Sequence, residues 1–269
     1  MKKFKTKRKN NNKIVMVILI IISMLMFIWF SLQKLDHSEE NFISFLFLDT
    51  AFKGEKQINN SFKLEYLFKN HSFYEKAKIS NSKKIYLYNT HNQEKYIDNS
   101  SVYDASESFA SNLKKLGFTP LLENKKTSDF LYTGMSYYDI SRIFIKDIKE
   151  KEDIDFFIDI HRDSVSNTSV TINNKRYAKI LFVLGLDNPS FEDNKRIIKE
   201  MNNYLDINYP GISKGILEKS GSGVDGIYNQ DLDSHVMLIE IGGIENNFEE
   251  VNNSTEILSL MLYHFIGEK

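Results

Sequence analysis

The 269-residue chain has no cysteine, which excludes disulfides and thiolate metal ligands and leaves His, Asp and Glu as its strong ligands. Any metal would be held by nitrogen and oxygen. A dominant charge sign is lacking too: 35 basic residues meet 36 acidic ones, and no basic stripe of the kind that grips phosphate backbones runs through the body of the chain. The expected partners therefore include no nucleic acid. Proline occurs only three times, and no internal repeat marks a solenoid. What is present is a hydrophobic fraction of 42%, enough for one sizeable packed domain plus appendages.

The N-terminus has the most legible pattern. "MKKFKTKRKNNNK" is basic without an acid, and the uncharged stretch Ile14 to Leu32 follows it. At about 1.5 Å per residue that stretch reaches roughly 28 Å as a helix, close to the hydrocarbon thickness of a bilayer. A secretory signal would be shorter and would end in small residues, whereas this run ends in Phe27, Ile28, Trp29 and Phe30. The positive-inside rule keeps residues 1–13 in the cytoplasm and makes 14–32 a single-pass anchor in the cell membrane. Everything after it is expected to be extracytoplasmic. Residues 33–82 mix short apolar runs with charged and Asn-rich ones, without the proline or low-complexity bias of a simple spacer, and read as a linker or partner-binding region. His37 and His71 fall there and read as solvated or incidentally packed.

From residue 83 to 269 the pattern alternates. "KKIYLYNT" reads as a strand and "SSVYDASESFASNLKKLG" as a helix with Ser100 or Ser101 at its N-cap; "FTPLLE" is the next strand. "SYYDISRIFIKDIKEK" is a helix with Tyr138, Ile140, Ile143, Phe144 and Ile148 as its buried stripe, and "IDFFIDIH" is a continuous apolar strand. Strands in "YAKILFVLG" and "HVMLIEIG", a helix from "PSFEDNKRIIKEMNNYL" and a last helix from about Phe248 to Ile266, capped near Asn247, complete the series. Such alternation implies an α/β domain: a mostly parallel sheet flanked by helices on both faces, with ligands beyond the carboxyl ends of its strands.

Three of those strands end in groups able to hold or use a metal. "YLYNTH" delivers His91, "FFIDIH" delivers His161 and "VMLIEIGG" delivers Glu240. A catalytic zinc site takes three nitrogen or oxygen ligands, keeps one position open, and uses a separate carboxylate to move the proton. His91 and His161 are two candidate ligands. Glu94 is the nearest acid for a third, since residues three apart on a turn project to one side; Asp98, Asp104 and Glu107 are its rivals. Glu240 lies among Val236, Met237, Leu238, Ile239 and Ile241, where burial raises a carboxyl toward the range of a general base. Taken singly, either histidine reads as a hydrogen-bonded turn residue; it is their arrival with Glu240 at one sheet edge that reads as a site.

Other groups are weighed the same way. Arg162 and Asp163, beside His161, are placed to orient substrate or ligands. "SGSGVDGIYNQDL" has Gly221, Gly223 and Gly226 for a flexible loop, but no Lys-Ser/Thr follows and no helix opens there, so it is not a phosphate loop. Its Asn229 and Gln230 suit either substrate amides or a surface turn. Glu245, Glu249 and Glu250 read as turn and helix N-terminal acids favoured by the macrodipole, and His235 and His264 as structural.

In this order, "YLYNTHNQEKY", "DIHRDS" and "GIYNQDLDSHVMLIEIGGIENNFEE" resemble the stage II sporulation protein P family, from about Lys83 to the C-terminus. The resemblance implies a fold similar to zinc-dependent N-acetylmuramoyl-L-alanine amidases. It also implies a membrane-anchored cell-wall hydrolase that cuts peptidoglycan between muramic acid and L-alanine, with cleavage in the stem peptide as well. His91 and His161 stand at the motif histidines, Glu94 at the nearby acid and Glu240 at the catalytic acid. Zn²⁺ is the implied cofactor, and sporulation proteins D and M the implied partners in engulfment. Ser164 and Asp233 depart from the family pattern, which bears on partner contacts. Two other classes stay open: a metallocarboxypeptidase-like peptidase, whose ligand spacing is also His-x-x-Glu with a distant His, and a wall-binding scaffold without catalysis.

Overall fold

The structure, a computed structural model, describes residues 83–267. The expected tail, anchor and linker lie outside the described residues; among those described, no helix is long and apolar enough to cross a membrane.

The first half follows the alternation: β1 (Lys84–Tyr88), α1 (Val102–Lys115), β2 (Thr119–Leu122), α2 (Tyr137–Lys151) and β3 (Phe156–Asp163). Both helices start on a capping box. Ser101 accepts from the Asp104 N–H while the Asp104 carboxylate accepts from the Ser101 N–H, and Ser136 and Asp139 repeat the exchange. Each such cap satisfies otherwise orphaned donors and contributes about 1 kcal/mol. After a short helical turn at Thr127–Thr133, α2 turns Ile140, Ser141, Phe144 and Ile145 inward. The expected stripe is off at one place: Ile143 is 51% exposed and Ile145 is fully buried. Two residues on a helix differ by about 200°, so the two positions cannot share a face.

The second half is more elaborate than expected. It contains β4 (Ser169–Ile172), β5 (Lys175–Ala178), β6 (Ile180–Gly185), α3 (Phe191–Asn208), β7 (Ser213–Lys219), β8 (Val236–Gly243) and α4 (Phe248–Leu262), which passes into a π-helical turn, Tyr263–Gly267. "YAKILFVLG" is not one strand. Its first residues belong to β5, which pairs only with β4 as a separate hairpin, and the chain breaks at Lys179 before β6 begins.

The main sheet has the order β2-β1-β3-β8-β6-β7. The first four strands are mutually parallel, β6 is antiparallel to β8, and β7 is parallel to β6. The sheet is mostly parallel, with a two-stranded flank running the other way. Tyr86, Tyr88, Phe157 and Val236 share one face and pack on Ile145 of α2. On the other face Phe156 meets Phe265, just past α4, and α1 lies against α4. Helices thus cover both faces, and the first residues of α2, Tyr137 and Tyr138, meet the His91 ring at the carboxyl edge of the sheet.

Candidate metal centre

β1 stops at Tyr88, and the chain turns back at once: the Glu94 N–H donates to the His91 carbonyl at 3.0 Å. That turn brings Glu94 under its own histidine. Glu94 Oε1 is 3.4 Å from His91 Nδ1, and Oε2 is 3.6 Å from Nδ1 of His161 on β3. The three residues offer one ligand atom each within 4.8 Å of one another. Two ligands about 2.05 Å from one ion at a tetrahedral angle stand about 3.3 Å apart, so the observed spacings suit a shared zinc. The residues present fit the metal. Glu94 is held from behind as well, because its Oε2 accepts the backbone N–H of Arg162 at 2.9 Å.

A buried acid that the sequence reading passed over lies behind His161. Asp159 Oδ1 is 2.9 Å from His161 Nε2, close but out of line for a directional hydrogen bond. Asp159 is itself fixed by Thr90, whose N–H donates to Oδ1 at 2.8 Å and whose hydroxyl donates to Oδ2 at 2.6 Å. Backing one ring nitrogen by a carboxylate leaves the other, Nδ1, to face Glu94 and His91. Burial works against a charged His161, but Asp159 and Glu94 outweigh it and raise its pKa to about 10. Burial likewise disfavours ionised Glu94, yet its contacts to His161, His91 and the Arg162 N–H lower it to about 2. Ligand cluster and counter-charge are built together.

Glu240 sits opposite His161 in the register of β3 with β8, so both side chains rise from the same face of the sheet. Its Oε2 is buried with no hydrogen-bond partner. Burial raises its pKa, with Asp163 adding to the shift and His161 opposing it. A carboxylate that is desolvated, unpaired and beside a ligand set is equipped to take up a proton.

A family model described as Stage II sporulation protein P (SpoIIP) matches residues 35–263. The chain belongs to the stage II sporulation protein P family. It is similar to the Stage II sporulation protein P of Bacillus subtilis (strain 168), with 31% identity over 213 residues, which are 70% of this chain and 53% of that one. The chain thus spans about half the length of that relative. Two solved structures are distantly similar to it: Cwp6 from Clostridium difficile (TM-score 0.46, 12% identity, 70% of this chain and 30% of that one) and a metallo-carboxypeptidase from Burkholderia cenocepacia (TM-score 0.44, 11% identity, 69% and 57%). At those scores neither likeness adds to the reading of the site.

In this SpoIIP-family chain the remaining candidates are scattered. Asp98 accepts the Phe248 N–H at the start of α4, Asp104 serves the α1 capping box and Glu107 is exposed; only Glu94 joins the histidines. Arg162 lies beside the site, but its guanidinium donates to the carbonyls of Lys95 and Asp163. Asn229 and Gln230 are buried and committed. Asn229 donates to Tyr138 O and Ser141 Oγ and accepts from Arg142, which is also paired with Asp231. Gln230 accepts the Gly185 N–H and donates to Val183 O. Neither amide is offered to a ligand, so the "NQDL" stretch of the SpoIIP pattern acts as a brace, because a buried amide must find its partners inside the protein.

The "IEIGG.EN" stretch has a comparable task. Gly242 has φ +68°, and a Cβ there would meet Asn246 Oδ1 at 2.5 Å; that oxygen accepts the Gly243 N–H at 2.7 Å and the Thr168 hydroxyl at 2.6 Å. Asn246 also donates to Glu250, which lies in the first turn of α4 as expected and is in addition buried and paired with Arg176. The loop after Glu240 is thereby locked.

Proposed function

We propose that this chain is a membrane-anchored, zinc-dependent peptidoglycan hydrolase that cleaves the N-acetylmuramoyl-L-alanine amide during sporulation engulfment, with stem-peptide bonds as further targets. The single observation that carries the reading is the convergence of His91, Glu94 and His161 beside the unpartnered, buried carboxylate oxygen of Glu240.

Zinc, when bound, supplies a Lewis acid for the scissile carbonyl and lowers the pKa of water at the site. His91, Glu94 and His161 would hold it, with Asp159 fixing His161 so that Nδ1 faces inward. Glu240 takes the proton of the attacking water as the C–O bond forms. It then delivers that proton to the nitrogen as the C–N bond breaks, giving a carboxylate and an amine. The anchor at 14–32 keeps the domain at the outer membrane surface, and residues 33–82 are the region offered to sporulation proteins D and M.

The ligand spacing also suits a metallocarboxypeptidase, which needs a cation at the terminal carboxylate. Arg142 and Arg162 are both engaged elsewhere, which favours an internal amide. Mass spectrometry of muropeptides after digestion of peptidoglycan decides: a free lactyl group and a released stem peptide are expected, and activity should be lost with a chelator. Release of single terminal amino acids would instead make the protein a carboxypeptidase. Absence of metal by elemental analysis, with no product, would leave a wall-binding scaffold.

A further inference from the structure

We propose that Tyr137 and Tyr138, the first two residues of α2, are positioning residues that hold the His91 imidazole in place for the metal, the role that Asp159 fills for His161; this rests on the metal-dependent hydrolase reading above.

The two ligand histidines are held by different means. His161 belongs to a strand, its side chain is 5% exposed, and the Asp159 carboxylate stands behind it. His91 lies in the turn after β1 with its side chain 37% exposed, and beyond the Glu94 contact at Nδ1 its ring has no hydrogen bond among the described residues. A ligating imidazole is usually fixed through its other nitrogen. Aromatic rings take that place here. The Tyr137 ring centroid is 5.0 Å from that of His91 with 87° between the planes, and the Tyr138 centroid is at 5.6 Å and 66°. Both are edge contacts, an arrangement that ring quadrupoles favour. Consecutive helical residues project about 100° apart, so two that meet one imidazole enclose it from two sides. His161, at 5.0 Å and 82°, closes a third.

The tyrosines are themselves fixed. Ser136 and Asp139 cap the turn that carries them. The Tyr137 hydroxyl donates to Gln93 Oε1 at 3.3 Å, inside the turn that joins His91 to Glu94. Tyr138 packs on Val183, Tyr228 and Leu238, and its ring centroid is 5.3 Å from that of Tyr228. Its carbonyl accepts from Asn229 Nδ2 at 3.2 Å. One turn on, Arg142 is paired with Asp231, and the Ser141 hydroxyl is 2.9 Å from that of Thr90, the neighbour of His91. The brace formed by Asn229 and Asp231 therefore acts on the metal centre through α2: it fixes the Tyr138 backbone, and the Tyr138 ring fixes a ligand. The sequence assigns Tyr138 only to the buried stripe of α2, because helical spacing does not distinguish a core aromatic from one packed on a ligand.

The test uses the 269-residue chain and zinc itself, in competition titration against a chelator of known affinity. Y137L and Y138L keep apolar volume and remove the flat ring; each should weaken zinc about tenfold. Y137F and Y138F keep the ring and should hold zinc as the native chain does. In a chain already carrying His91→Ala, adding Y137L or Y138L should weaken zinc no further, because the tyrosines act through His91. Melting temperatures of the metal-free variants separate loss of fold from loss of position. Equal losses in the Phe and Leu variants, native affinity in both Leu variants, or the same loss with His91 absent would overturn the positioning role and leave the hydrolase standing. A native chain that binds no zinc overturns the metal centre and the role with it.

Discussion

β1, β3 and β8 run toward one edge of the sheet and there present His91, His161 and Glu240, while β6 and β7 begin at that edge and run away from it. The parallel half can therefore place reactive groups at strand ends, where the backbone is free to turn. The flank has no strand end at the site and can act only through side chains on its face. Leu181, paired with Glu240, does so, while Tyr228 and Tyr138 pack over Val183 and Leu238. The difference assigns chemistry to the parallel half and support to the flank.

Breaking the parallel half should have the largest effect. Glu240→Gln keeps the shape and removes the base, so turnover should fall by about 10²- to 10⁴-fold with zinc retained. A variant with bound zinc and native turnover would remove Glu240 from the mechanism. Asn246→Ala unties the loop after β8 and leaves Gly243 N–H and Glu250 short of a partner, for an expected loss of about 2–3 kcal/mol in urea unfolding. Asp159→Asn should weaken zinc by about 10- to 100-fold in a competition titration, because His161 loses the anion behind it. Native affinity in that variant would mean that Thr90 and the strand suffice to aim the ring. On the flank, Gly185→Ala should displace the Gly226 carbonyl and cost about 1–3 kcal/mol in urea unfolding, while zinc affinity stays native.

The smallest effect separates two acids within the parallel half. In the metal-free chain Glu94 is lowered by folding, so its contribution to stability is complete above the ordinary glutamate pKa and is lost as pH falls toward about 2. Glu240 is raised, so its contribution is present below that ordinary value and is lost as pH climbs through the raised one. Carboxyl NMR titration should show the two moving in opposite directions from the usual value. Parallel titration of both would erase the division between ligand and base.

Much of this was legible because the first half keeps its periods clean. "IYLY" and "FFIDIH" are apolar runs bounded by polar residues, and Ser-x-x-Asp opens both of the helices, α1 and α2, that lie between them. Asp159 was visible in principle, as a charge inside an apolar strand two places before His161 and so on its face, but a lone acid in a strand carries no signal until its partners are known. The β4–β5 hairpin had a signal too: Asn173 and Asn174 take positive φ in the tight turn that joins them. β7 offers less, since Lys214, Gly215, Glu218 and Lys219 interrupt its apolar pattern, as edge strands tend to do.

The sequence by itself determined the strands and helices of the first half, the alternation that makes the sheet mostly parallel, and the three groups His91, His161 and Glu240 at strand ends. Those follow from local periodicity and capping, which need no distant partner. Only the tertiary structure decided that Glu94, and not Asp98, Asp104 or Glu107, meets the histidines, that Asn229 and Gln230 are braces, and that β6 and β7 run backwards beside the site. Each of these depends on which buried polar group finds a partner many residues away, and that pairing is set by the register of the strands.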